Sequence, residues 1–198
     1  MINYANGKNF QKNLKIPSKS PIKPKSFSHG NRGMAFENDI NETNDFYRNN
    51  GLCLVTKRPT PINVVNVDYS KGAIITNAYF EKQSTTDYNG VYNGKYIDFE
   101  AKSTRKKTSF PLANISYHQI EHLKQVIKHK GIAFFIIEFS TLDEVYFLDA
   151  KYVINFYENG ARKSIPYSAV KECGKRIKKA YAPRLDYLPV IKEIYGIL

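Results

Sequence analysis

The sequence is poor in cysteine and contains no long apolar segment. Its two cysteines, Cys53 and Cys173, are too few for a disulfide framework, and their spacing matches no zinc motif. No apolar run approaches the roughly 20 residues that a membrane-spanning helix requires. The first residues also lack the apolar stretch of a secretory signal. We therefore expect a reduced, cytoplasmic protein that does not enter a membrane.

Acidic residues are scarce relative to basic ones. The chain of 198 residues holds 30 Lys and Arg against 18 Asp and Glu, which gives a formal net charge of +12. Such an excess of positive charge favours polyanionic partners, of which nucleic acid is the commonest. The hydrophobic fraction of 42% is high enough for one domain of this length to build its own core. The composition therefore predicts a folded protein that binds nucleic acid.

The N-terminal segment differs from the rest of the chain. Residues 1–33 contain six lysines and one arginine, Arg32, but no Asp or Glu, and three prolines interrupt any helix. A segment of this kind buries too little apolar surface to offset the entropy of ordering. We expect a flexible basic arm over residues 1–33 that contacts phosphates. The alternative is a tail that has no role in binding.

The apolar pattern of residues 34–198 predicts a mixed α/β domain with a central sheet. Helical periodicity and β-type runs alternate along the chain, with turn residues between them. No internal repeat is present, so the elements belong to one domain. The predicted helices are 34–49, 116–128, 150–157, 166–173 and 186–194, and the predicted strands are 52–55, 62–67, 74–80, two within 85–102, 132–139 and 145–148.

A predicted hairpin over residues 85–102 carries most of the chemical information. Asn93-Gly94 is a strong signal for a two-residue type I′ turn, because both central residues of that turn need a positive φ. This turn places Asp87 opposite Glu100, on one side of the sheet. Asn89-Gly90 is a second turn signal, which we interpret as a bulge or bend.

Asp87, Glu100 and Lys102 form a candidate phosphodiesterase site. Two carboxylates held this close repel each other unless one is protonated or a cation lies between them. Carboxylate oxygens suit Mg²⁺, with Mn²⁺ as an alternative. A metal ion polarises a phosphoryl oxygen and helps to ionise a water, while the Lys102 ammonium stabilises the charge of the transition state. The alternative is an exposed hairpin edge with unrelated charges.

Several segments, in order along nearly the whole chain, resemble the RecU family of Holliday-junction resolvases. Residues 84–90 (STTDYNG) and 96–102 (YIDFEAK) look like the family's active-site signature. The resemblance implies a restriction-endonuclease-like α/β fold of the PD-(D/E)xK kind, with a mixed central sheet flanked by helices and a protruding β stalk at 57–80. The other similar segments are NRGM (31–34), KRPTP (57–61), TSFPL (108–112), HQIEH (118–122) and APRLDYL (182–188).

The resemblance also implies an activity. It implies a homodimeric, Mg²⁺-dependent endonuclease that binds branched DNA and makes paired symmetric nicks in four-way junctions during recombination and repair, leaving 5′-phosphate and 3′-hydroxyl ends. A recombinase is a further expected partner. Residues 34–198 would then form the nuclease domain.

The family's site residues map onto this sequence position by position. The resemblance assigns Thr85, Asp87, Glu100 and Gln119 as metal ligands and Lys102 as the lysine that stabilises the transition state. Glu37, in the first helix, matches a position that supports the metal site in this superfamily. The stalk tip is short, with Lys71 as its basic residue. The expected DNA-binding residues are Arg32, Lys57, Arg58, Lys71, Arg105, Lys106 and Lys107.

Four alternatives remain open on the sequence alone. Ser116-x-x-Gln119 fits a capping box, in which the role of Gln119 is to close a helix N-terminus. Residues 118–122 also match H-x-x-E-H, a zinc-peptidase pattern, although no third ligand is evident. The basic clusters at 102–108 and 175–179 are either solvated or phosphate-binding, and the first is favoured as a phosphate clamp because it adjoins the site. Finally, the protein could be a non-catalytic or weakly catalytic DNA-binding and annealing accessory.

Overall fold

The computed structural model describes residues 29–81 and 85–197, with side chains from residue 33 onward. Most of the predicted arm, residues 1–33, and the side chain of Arg32 lie outside the described residues. No described helix is long and apolar enough to cross a membrane. The helices are α1 (His29–Asn49), α2 (Tyr117–Lys128), α3 (Ala150–Asn159), α4 (Tyr167–Cys173) and α5 (Leu188–Tyr195), with a 3₁₀ turn at Leu112–Asn114.

Seven strands form one twisted central sheet, and two pairs of strands lie outside it. The order in the large sheet is β1-β4-β5-β7-β8-β10-β11, in which β5 and β7 run parallel and the other neighbours run antiparallel. The predicted α/β class, a mixed central sheet flanked by helices with a protruding β ribbon, is confirmed. The strands are β1 (Leu54–Lys57), β2 (Ile62–Asp68), β3 (Ile74–Phe80), β4 (Tyr88–Tyr92), β5 (Lys95–Thr104), β6 (Ser109–Pro111), β7 (Ile132–Phe139), β8 (Glu144–Asp149), β9 (Ser164–Pro166), β10 (Lys175–Lys179) and β11 (Leu185–Asp186).

The large sheet is covered on both faces, by α1 and α5 on one side and by α2, α3 and α4 on the other. A column of stacked rings crosses the first face from β4 to β8. The ring centroids of Tyr88 and Phe99 are 4.8 Å apart, those of Phe99 and Phe134 are 4.6 Å apart, and those of Phe134 and Phe147 are 4.4 Å apart. Because all four rings are buried, truncating one of them, as in Phe99→Ala, costs about 3–5 kcal/mol.

The hairpin register agrees with the prediction from the Asn93-Gly94 turn. Asn93 and Gly94 have φ values of 45° and 73°, and Tyr92 pairs with Lys95. The predicted bulge or bend at Asn89-Gly90 is wrong, because the ladder between β4 and β5 is continuous. Gly90 instead permits close packing of β1. A Cβ atom at Gly90 would lie 2.1 Å from the carbonyl oxygen of Leu54, so only glycine fits there.

The predicted stalk corresponds to the β2–β3 ribbon, whose turn contains Lys71. Almost every described residue of these two strands is exposed, including the apolar side chains of Val65, Ile75 and Phe80. Lys57, at the start of the predicted stalk, belongs to β1 and pairs with Tyr88 in the large sheet. The ribbon therefore leaves the domain after β1 without contributing to either core.

Three local features were not predicted. Helix α1 begins at His29, earlier than the predicted start at residue 34. The basic segment Lys175–Lys179 forms strand β10, which pairs with β8 and buries only its central residue, Ile177. The short strands β6 and β9 pair beside α4. Their sequences are too short or too charged to give a clear strand pattern.

Candidate active site

The candidate site lies where strand β4 begins, beside the middle of strand β5. The last pair of the ladder away from the turn is Tyr88 with Phe99, so Asp87 lies just before β4 while Glu100 lies within β5. The backbone N–H of Asp87 donates a hydrogen bond to Oε2 of Glu100 over 3.1 Å. The predicted placement of Asp87 beside Glu100 is therefore confirmed.

Glu100 is fully buried, and its surroundings do not favour a charge. The pKa of its carboxyl group is raised to about 8, mainly because the group is buried; Lys102 opposes this shift and the nearby Asp87 carboxylate adds to it. The Lys102 Nζ lies 2.5 Å from Oε1 of Glu100. No group among the described residues meets hydrogen-bond geometry with this buried oxygen, and the Lys102 ammonium is its charged neighbour. Oε1 therefore already faces a positive charge, which is the environment that a metal ion would also supply.

A cleft opens above these carboxylates and brings several predicted residues together. Glu37, Asp87, Lys102 and Arg105 all line it, between the N-terminal half of α1 and the end of β5. Glu37 also forms an ion pair with Lys57 of β1. The cleft therefore has two acidic and two basic side chains in its wall, directly above buried Glu100.

Thr85 and Gln119, the other two predicted ligands, are placed differently. Thr85 lies in a shallow groove beside α2, together with Tyr117 and His118. Gln119 is buried, and its Oε1 accepts a hydrogen bond from the backbone N–H of Ser116 over 3.0 Å. The reciprocal capping box is present, so the capping interpretation of Gln119 is confirmed. Metal ligation by either residue stays a prediction.

A second buried carboxylate, Asp98, is absent from the site predicted from the sequence. Its Oδ2 accepts hydrogen bonds from Arg58 Nη2 and Tyr96 Oη, each over 2.7 Å, and from His122 Nε2 over 2.9 Å. The Thr86 hydroxyl donates to its Oδ1. Burial alone would raise the pKa of Asp98, but the hydrogen bonds and the Arg58 charge outweigh it and lower the pKa. Asp98 is therefore an ionised carboxylate held by four donors.

The predicted DNA-binding residues fall into two groups. The side chains of Lys57 and Arg58 pair with Glu37 and Asp98, so both are engaged within the protein. Lys71, Arg105, Lys106 and Lys107 are exposed. The basic strand β10 is different, because Lys175, Arg176 and Lys179 pair with Glu193, Glu144 and Asp143.

The zinc-peptidase alternative finds no support in α2. No group of three or more His, Cys, Asp or Glu side chains that could hold a metal ion occurs within residues 33–81 and 85–197. In addition, Nε2 of His122 is bonded to Asp98. The second histidine of the H-x-x-E-H pattern, His122, therefore belongs to the hydrogen-bond network of Asp98.

Comparison with known proteins gives consistent matches. The family model described as RecU, Recombination protein U, matches residues 31–193. A Holliday junction resolvase RecU from Geobacillus sp. (strain WCH70) is 48% identical over 200 residues, with 98% of each chain covered. A Holliday junction resolvase RecU from Bacillus cereus (strain AH820) is 50% identical over 199 residues, again with 98% of each chain covered.

Among solved structures, Hjc from Archaeoglobus fulgidus, a Holliday junction resolvase, superimposes with a TM-score of 0.43 and 11% sequence identity. The superposition covers 72% of the present chain and 94% of that protein.

Proposed function

The chain belongs to the RecU family, and from this membership and the geometry of the site we propose that it is a DNA endonuclease that resolves Holliday junctions. It binds four-way and other branched DNA and cuts the four-way junction with a divalent metal ion, Mg²⁺ or Mn²⁺. The observation that carries the proposal is the pairing of Asp87 with buried Glu100, with Lys102 against the same carboxylate. Burying a carboxyl group beside a second carboxylate costs stability, so a hairpin with a purely structural role is not expected to contain such a pair.

The residues present fit a divalent cation. Oε1 of Glu100 has no hydrogen-bond partner among the described residues, and Asp87 supplies a second carboxylate within reach of the same point. Hard cations prefer such oxygens. Thr85 and Gln119 are proposed as the remaining protein ligands, through their side-chain oxygens. When bound, the ion supplies a Lewis acid to the scissile phosphate and favours ionisation of the attacking water.

The roles of the protein groups follow from their positions. Lys102 lies in the wall of the cleft, with its side chain partly exposed, so its ammonium can face the scissile phosphate and stabilise the added negative charge of the transition state. Glu37 and Arg105 line the same cleft. Glu37 supports the metal site, and the Arg105 guanidinium holds the phosphate backbone. Cleavage yields 5′-phosphate and 3′-hydroxyl ends.

Junction selectivity is assigned to features outside the cleft. A four-way junction requires two symmetric nicks, which a homodimer supplies from two copies of the site. The exposed β2–β3 ribbon with Lys71 in its turn inserts into the junction, while Arg105, Lys106 and Lys107 hold phosphates beside the cleft. Residues 1–33 add a basic arm, and a recombinase is a further proposed partner.

A nicking assay on a synthetic four-way junction tests this function. The purified protein should make paired nicks with Mg²⁺ or Mn²⁺, none with EDTA, and far fewer in linear duplex or flap DNA of the same sequence. Equal cleavage of all substrates would make it a general nuclease. Tight junction binding without cleavage under any divalent ion would instead make it an accessory DNA-binding protein.

A further inference from the structure

Arg58 lies between the predicted junction-binding ribbon and the metal site. It follows β1 directly, and Pro59 and Pro61 separate it from the first residue of the ribbon, Ile62. The prolines restrict the backbone of this connection. Arg58 is therefore joined to the base of the ribbon by a short connection of restricted flexibility.

Arg58 is attached to the segment that carries Asp87 at three points. Its backbone N–H donates to the carbonyl oxygen of Asp87 over 2.7 Å. Its Nη1 donates to the hydroxyl and the carbonyl oxygen of Thr86, over 2.9 and 3.3 Å. Thr86 directly precedes Asp87, so the backbone of the proposed metal ligand is held by one arginine.

The other side of the guanidinium is attached to the strand that carries Glu100. Nη2 of Arg58 contacts Oδ2 of Asp98 over 2.7 Å and the hydroxyl of Tyr96 over 2.8 Å. Asp98 lies two residues before Glu100 on β5, on the same face of the strand. Because Asp98 is completely buried and accepts four hydrogen bonds, it is a rigid anchor.

We propose that Arg58 is a positioning residue, which acts through Asp98 and Thr86 to set the separation of the Asp87 and Glu100 carboxylates. This inference rests on the proposed nuclease function. It replaces the expectation that Arg58 contacts DNA. The guanidinium nitrogens that would bind a phosphate already donate hydrogen bonds to Asp98, Tyr96 and Thr86.

The test compares Arg58→Gln with Asp98→Asn and with the double variant. Single-turnover cleavage of a bound junction should fall about 10- to 100-fold in each, because small displacements of reacting groups have effects of this size. The double variant should be no slower than the slower single variant, since both changes break one linkage. Tyr96→Phe, which removes a single hydroxyl from the network, should give a smaller loss in the same direction.

Two readouts without turnover separate positioning from other roles. Amide hydrogen exchange of the metal-free protein should accelerate at residues 85–92 in Arg58→Gln, while exchange across α3 and β8 is unchanged. Junction affinity and its salt dependence should stay at the wild-type values. Arg48→Gln is the matched control, because Arg48 forms an exposed pair with Asp45 in α1, and it should behave as wild type.

The outcomes that overturn the inference are distinct. If Arg58→Gln weakens junction binding and lowers the salt slope by about 0.9 while Asp98→Asn does neither, Arg58 is a phosphate contact. If exchange accelerates throughout the protein, Arg58 only stabilises the fold. If both variants cleave at the wild-type rate, the linkage has no role. Failure of the wild type to cleave junctions would refute the proposed function itself.

Discussion

Asp98 and Glu100 lie two residues apart on one face of β5, both are completely buried, and their pKa values are shifted in opposite directions. The difference comes from their partners. Asp98 receives four hydrogen bonds, including one from an arginine, whereas Glu100 has one lysine beside it and a second carboxylate nearby. One carboxylate is thus held as an anion and the other holds a proton in the metal-free protein at neutral pH.

The pKa of Glu100 leads to a prediction about stability in EDTA. Between about pH 4.5 and about pH 8 the folded protein keeps a proton on Glu100 that the unfolded chain has lost. The unfolded state therefore binds fewer protons, and the free energy of unfolding falls as the pH rises through this window. Thermal melting from pH 5 to pH 9 should show the decline, and Glu100→Gln should reduce it. Parallel curves for the two proteins would contradict the assignment.

Asp87→Asn should separate folding from chemistry. Without metal, the variant should be at least as stable as wild type, most clearly above about pH 8, where Glu100 is ionised and the negative charge of Asp87 would repel it. The backbone hydrogen bond from residue 87 to Glu100 is unaffected by the change. Junction binding should persist while metal-dependent cleavage almost disappears. An unfolded variant would mean that Asp87 is structural, and near-normal cleavage would place the active site elsewhere.

Lys102→Met should give a different pattern from Asp87→Asn. We expect Mn²⁺ binding, measured by calorimetry, to be retained, because the two carboxylates are still present. The cleavage rate at saturating metal should fall by about 10²–10³-fold, since the lysine charge acts mainly in the transition state. A variant whose rate recovers fully at high metal concentration would show that Lys102 acts in metal binding.

The two basic clusters should contribute unequally to DNA affinity. Replacing Arg105, Lys106 and Lys107 by Ala should weaken junction binding and flatten the slope of log K against log salt, by about 0.9 for each phosphate that the variant no longer neutralises. The matched control replaces the three paired residues of β10, Lys175, Arg176 and Lys179. Because Glu193, Glu144 and Asp143 already neutralise them, the control should change the slope less.

The ribbon turn should determine preference among substrates. Lys71→Ala should lower the ratio of junction affinity to duplex affinity, as Lys71 is the basic residue of the exposed turn. Lys95→Ala is a suitable control, because Lys95 is exposed at the other hairpin turn. Equal loss of affinity for both DNA forms in Lys71→Ala would make it a general phosphate contact.

Local chemistry makes the hairpin predictable. Asn93-Gly94 demands one turn type, and that turn sets the pairing of every residue as far as Asp87 and Glu100. The role of Gly90 is not predictable in this way, because glycine serves both in bulges and where another strand approaches closely. Only the position of β1 distinguishes the two.

The Asp98 network could not be predicted from local sequence either. Its partners Arg58 and His122 are separated from Asp98 by 40 and 24 positions in the sequence. No local pattern brings them together, because their proximity depends on how β1 and α2 pack on the sheet. Strand β10 could not be predicted from its sequence either. Four of its five residues are basic and only Ile177 is buried, so the segment has no apolar alternation.

The β2–β3 ribbon is exposed along nearly its whole length and is fixed to the domain at its base. A change in its length or charge therefore leaves both hydrophobic cores intact. Substitutions and insertions in the ribbon should consequently have little effect on the stability of the domain. Descendants of this chain can acquire a longer or more basic tip, and with it a different preference among branched DNA forms, while the proposed metal ligands Asp87 and Glu100 stay as they are.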